Sequence, residues 1–155
     1  IRAGQIADLD ITLTPAPPPR VVAAPPTPAP APAAAATVGP QGQPQILSLV
    51  DLVERELVAN NVPRKDTLVA CSGNTRSMLV QLNQPQAQRV YDSAEALYYV
   101  IAGEGAISIA GRDVQLQAGS YASVPRGATH ALTRKGRRPL IVLAVLSGEP
   151  CEEAR

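Results

Sequence analysis

One histidine, His130, closes the stretch Gly119–His130, GSYASVPRGATH, in which a glycine, Pro125, Gly127 and the imidazole stand at fixed offsets. Imidazole titrates near neutral pH and is the commonest metal-ligating side chain, so acid–base or metal chemistry is sought here first. A single histidine narrows the options. A bound transition metal takes about three or four protein ligands. A nucleophilic triad built on His130 would need a serine on a Gly-x-Ser-x-Gly elbow, and the sequence has none. Gly103-Glu104-Gly105, followed by Ala106, reads as a hairpin turn and lacks the helix that a dinucleotide site requires. The basic run Arg134, Lys135, Gly136, Arg137, Arg138 also falls in an expected turn. It reads as a solvated loop, with a docking patch for an acidic surface as the alternative.

The cysteines, Cys71 and Cys151, lack the close spacing of a zinc or redox motif. Cys71 lies near the start of the expected folded region and Cys151 just past its last expected strand. A bridge between them would tie the two ends of the fold and close a loop of about 80 residues, worth roughly 4–5 kcal/mol in the chain-entropy treatment. It would also imply an oxidising compartment, periplasmic or extracellular. The alternative is a pair of separate, reduced thiols.

The chain of 155 residues has room for one ordinary domain and an extra segment. A formal net charge of +1, with Phe and Trp absent, provides neither the basic field nor the stacking platforms of a nucleic-acid binder. No apolar run approaches the roughly 20 residues that span a bilayer. The sequence opens on Ile1 rather than Met, as expected of a processed or truncated chain.

Three segments follow from composition. In residues 1–14, Leu9, Ile11 and Leu13 alternate with polar neighbours as in a half-buried strand. This segment weakly resembles the last strand of a carboxypeptidase-regulatory-like β-sandwich, and adding to a partner's sheet is the alternative. Residues 15–45 form a Pro/Ala-rich linker or arm, able to reach ~90 Å when extended at ~3.1 Å per residue. In residues 46–155, Ser48 to Asn60 carries a helical stripe of Leu49, Leu52, Val53 and Leu57, expected to lie against the outside of the domain. Strands are then expected at TLVACS, RSMLVQLN, AQRVYD, ALYYVIAG, GAISIA, RDVQLQ, SYASVP, THALTR and PLIVLAVLS, with glycine-rich turns between several of them. Many short strands at this spacing predict an all-β sandwich or barrel.

Read together with YYVIAGEG (Tyr98 to Gly105), the stretch GSYASVPRGATH resembles the paired signature motifs of the cupin family. The likeness runs from about Thr67 to Ser147. Gly119, Pro125, Gly127 and His130 reproduce the second motif, and Arg134 stands where the family often has Asn. The resemblance implies a cupin-type β-barrel, that is a double-stranded β-helix or jelly roll, with one N-terminal flanking helix and an extended N-terminal arm. The first motif departs from the family. Anchored on Gly103, its histidine positions fall at Arg89 and Tyr91, or at Val90 and Asp92, and its glutamate position is Ala96.

Through the resemblance, Arg89, Tyr91 and His130 should converge near the family's metal position, with Tyr98 or Gln81 joining them. No metal and no cofactor is expected there, since a guanidinium occupies a ligand position. His130 then reads as a remnant that packs or hydrogen-bonds inside the barrel, or as a contact to a small ligand. Arg89 either pairs with Asp92 or Glu95, or clamps a carboxylate or sugar hydroxyl. The expected function is a non-catalytic, metal-free accessory, structural or interaction module of an extracytoplasmic assembly, with protein partners on the arm and a homodimer as a further option. The alternative is small-molecule binding or metal-independent catalysis in the barrel.

Overall fold

The computed structural model describes residues 37–151. The expectations for residues 1–14, and for the arm as far as residue 36, lie outside the described residues. The order is one helix, α1 (Leu49–Arg55), then β1 (Arg64–Ser72), β2 (Thr75–Leu82), β3 (Glu95–Ala102), β4 (Glu104–Ile109), β5 (Arg112–Gln117), β6 (Tyr121–Val124), β7 (His130–Lys135) and β8 (Leu140–Ser147). They form a five-stranded sheet in the order β1-β2-β8-β3-β6 and a three-stranded sheet in the order β5-β4-β7. All pairings are antiparallel. This is the expected jelly roll. The stretch AQRVYD forms no strand; only Arg89 bridges to His130, through two backbone hydrogen bonds of 2.8 and 2.9 Å.

Between the sheets, residues of β2 to β8 build the core. Val80 and Leu82 of β2, Tyr98 and Val100 of β3, Ile107 of β4, Leu132 of β7, and Leu140, Val142 and Ala144 of β8 meet there. The run Leu140–Leu146 is buried on both faces for most of its length, as its unbroken apolar character predicts. Its outward residue Ile141 joins Leu79 of β2 under Leu52 of α1, with Leu49 and Val53 packed alongside. The helix thus covers the outer face of the larger sheet.

Helix α1 is shorter than its sequence pattern. Ser48 caps it, accepting from the Asp51 amide at 3.2 Å. It stops at Arg55 because the following backbone is captured by the sheet. The Glu56 carbonyl accepts from Lys65 Nζ and Gln81 Nε2, and the Val58 amide donates to Gln81 Oε1. Leu57, expected on the apolar stripe, is consequently exposed.

The described barrel takes in, from Thr37 to Gln45, residues that composition assigns to the arm. Thr37 to Gln45 lie along the β1–β2 hairpin. Asn74, in its turn, accepts from the Gly39 amide and donates to the Thr37 and Gly148 carbonyls. Gly73 donates to the Pro40 carbonyl, and Gly42 donates to Ser72 Oγ. A Cβ at Gly39 or Gly42 would overlap the Gly73 or Cys71 carbonyl oxygen, so only glycine permits this approach. Beside this strap, Cys71 and Cys151 form the expected disulfide, with Cα atoms 5.8 Å apart.

Candidate functional site

Tyr98, on the inward face of β3, sits in a cross-strand row between Ala144 of β8 and Ala122 of β6. Alanine on both sides leaves room for the phenol ring at the barrel centre. Opposite, His130 opens β7 and is 1% exposed. Its Nδ1 lies 3.2 Å from the Ala128 carbonyl, which can only accept, so Nδ1 carries the proton. Nε2 then accepts from the Tyr98 hydroxyl at 2.8 Å. Tyr91 tilts over the imidazole with ring centroids 5.4 Å apart, and Tyr98 lies 5.6 Å away in the same measure. Arg89, paired backbone to backbone with His130, is half-buried on the same face.

The electrostatics follow from burial. Desolvation holds the His130 imidazole below its ordinary value; the hydrogen bond to the Ala128 carbonyl opposes this, and the Arg89 cation adds to it. Burial, reinforced by the Tyr91 phenol, pushes the Tyr98 phenol well above its usual range and keeps it a donor. Arg89 and Arg64 act against that rise. Arg64, the first residue of β1, is itself held by Asp66 and by Gln86 Oε1 at 2.8 Å. Strand β1 begins at Arg64, three residues before the Thr67 expected from the sequence, which brings Arg64 into the site's surroundings. The alternation of Arg64, Asp66 and Leu68 was the available signal.

Four of the five expected site residues, Arg89, Tyr91, Tyr98 and His130, are brought together. Gln81 is not. It lies one position out of phase with Val80 and Leu82, on the outer face of β2, where its carboxamide is consumed by the chain after α1. Nor does Arg89 pair with Asp92 or Glu95; it makes no ion pair among the described residues.

The donor set does not fit a divalent transition metal. One imidazole has both nitrogens engaged within the protein, the adjacent phenol stays protonated, and a guanidinium stands beside them. The position of the family glutamate, Ala96, is fully buried against Leu146 and Val124. Among the described residues no three of His, Cys, Asp and Glu gather into a metal-binding group.

The family model described as the cupin domain matches residues 77–146, the span that holds this cluster. Residues 77–146 are a cupin domain. Among solved structures, TT1209 from Thermus thermophilus is 24% identical, with a TM-score of 0.58 over 68% of this chain and 98% of that one. An uncharacterised conserved protein with a double-stranded β-helix domain from Klebsiella pneumoniae is 20% identical, with a TM-score of 0.59 over 68% and 91%. KdgF from Halomonas sp. is 15% identical, with a TM-score of 0.53 over 59% and 82%. At these identities the likeness carries the fold of this cupin alone. No curated protein matches the sequence.

A pH dependence follows from His130. The imidazole of the unfolded chain protonates near pH ~6.5. In the fold its pKa is lower, so below that pH the unfolded state binds the proton first. Stability is full above pH ~6.5 and drains as the pH falls toward the lowered folded value. Urea unfolding between pH ~7.5 and ~5 should show this slope in the wild type and lose it in His130→Gln. Glu56, held low by its hydrogen bond to Lys65, contributes only below the ordinary carboxylate value, outside the range titrated. A flat wild-type profile, or a slope that survives the substitution, contradicts the assignment.

Proposed function

We propose that this cupin is non-catalytic and metal-free, and serves as an accessory, structural or interaction module of an extracytoplasmic assembly. The observation that carries the reading is the closed hydrogen-bond set of His130. Its donor goes to Ala128 and its acceptor to Tyr98, which leaves no free imidazole nitrogen to ligate a metal. The Cys71–Cys151 bridge supports a periplasmic or extracellular setting, where disulfides persist. Among the described residues no helix is long and apolar enough to cross a membrane. The strap at Thr37–Gln45 supports a tethering role, since hydrogen bonds to Gly73 and Asn74 hold the chain that leads into the barrel. Protein partners would then be held through the arm.

Cross-linking of the protein in its native extract tests this. The expected result is a species heavier than the monomer, with cross-links between residues 1–45 and one defined second polypeptide. A monomer that turns over a small substrate, with activity lost in Tyr98→Phe, would overturn it.

The alternative, recognition of a sugar or carboxylate in the barrel, is favoured by one observation. Arg89 is half-buried beside Tyr91 and His130 and has no ion-pair partner among the described residues. Titration with small carboxylates and monosaccharides, read by tyrosine fluorescence, supports it only if a saturable signal disappears in Arg89→Ala.

A further inference from the structure

At the end of the barrel away from His130, the start of β4, the end of β5 and the β7–β8 turn enclose a cleft of about 560 Å³. Strand β7 separates the two places, with His130 at its start and Lys135 at its end. At ~3.3 Å per residue they lie ~16 Å apart along the strand. Its lining shares no residue with the His130 cluster or with the strap at Thr37–Gln45. Its volume is in the range of small-molecule sites, roughly 300–1,000 Å³.

Charge identifies what it would take. Lys135, Arg137 and Arg138 line the cleft against a single carboxylate, Glu104. All three cations are exposed, and none forms an ion pair among the described residues. Glu104 stands directly across from Lys135 in the β4–β7 ladder without reaching it as a salt bridge. Like charges crowded on one short turn repel unless an anion joins them. The turn is also held in place. Gly103 packs its backbone on the Pro139 carbonyl with no room for a Cβ, and Gly136 takes a φ of 78°.

We propose that this cleft binds a small polyanion carrying at least two phosphate or carboxylate groups. Each guanidinium of Arg137 and Arg138 offers a planar fork that grips an oxyanion through paired N–H donors. Lys135 adds a point charge, and the Gln117 carboxamide adds a neutral donor at the wall. Glu104 works against the most highly charged ligands and so tunes selectivity. The inference is independent of the role assigned to the barrel interior.

Isothermal titration at low ionic strength with tripolyphosphate, and separately with citrate, tests the proposal and distinguishes a phosphate from a carboxylate source. Saturable one-site binding of either probe is expected. Arg137→Ala with Arg138→Ala should weaken it by about tenfold or more, as lost charge-assisted bonds do. Glu104→Gln should tighten it by about two- to fivefold, the scale of an exposed charge contact. Arg112→Ala with Arg126→Ala, which removes equal charge elsewhere on the surface, should leave it within about twofold. Circular dichroism of every variant reports whether the fold is kept. Absence of saturable binding to both probes overturns the proposal. So does equal weakening by the two double variants, which would mark diffuse attraction instead of a site.

Discussion

Replacing both Cys71 and Cys151 with serine is expected to lower stability by about 4–5 kcal/mol. The bridge joins residues 80 apart in sequence, and constraint on the unfolded chain grows with loop length. Its neighbours add a local consequence. The Cys151 amide donates to the Gly73 carbonyl, and the Gly73 amide donates to the Pro40 carbonyl, so bridge and strap share one hairpin. Each of those hydrogen bonds is worth only about 1 kcal/mol net, so the covalent link dominates at this end of the barrel. Urea unfolding of the oxidised wild type and the double variant measures the difference. A loss under about 1 kcal/mol would mean that the unfolded chain gains little freedom when the link is cut. Hydrogen exchange should also show the Gly39 and Gly42 amides losing protection before the core strands do.

Tyr98→Ala is expected to destabilise by about 3–5 kcal/mol, the scale of an aromatic ring removed from a packed core. Two effects add. The ring leaves a void between Ala122 and Ala144, side chains too short to fill it. His130 Nε2 also loses its donor while staying buried. Tyr98→Phe separates the two by keeping the ring, and should cost about 1–3 kcal/mol. The opposite outcome would be informative. Residues strained for binding or catalysis tend to gain stability when simplified. If Tyr98→Ala were neutral or stabilising, the barrel centre would be a functional pocket and the structural reading of Tyr98 and His130 would be wrong.

The jelly roll was legible because its turns and alternations are local signals. Gly103, Gly119 and Gly127, all at positive φ, stand where strands reverse or enter turns, and the pairing of β8 follows from an apolar run buried on both faces. The cluster of Arg89, Tyr91, Tyr98 and His130 was legible through the spacing of the cupin motifs. What was missed depends on contacts between distant residues. Gln81 could not be assigned a face because β2 is buried on both, so Leu79 and Val80 look alike in sequence. The early end of α1 depends on Gln81 and Lys65, respectively 25 and nine residues from Glu56 in sequence. The docking of Thr37–Gln45 was hidden by composition: Gly39, Pro40 and Gly42 look like linker, yet the glycines are there to let backbone meet backbone. Arg89 and His130 meet by a single bridge, too short to mark AQRVYD as a strand or to show by alternation that it is not one.

The barrel interior around His130 is filled by its own hydrogen bonds and does not fit a metal centre. The direct test is metal content. Protein purified without chelator and dialysed against manganese, iron, nickel and zinc in turn should retain far less than one equivalent of each by mass spectrometry, and EDTA should leave its melting temperature unchanged. Stoichiometric retention of any one of them, lost in His130→Ala, would contradict the account.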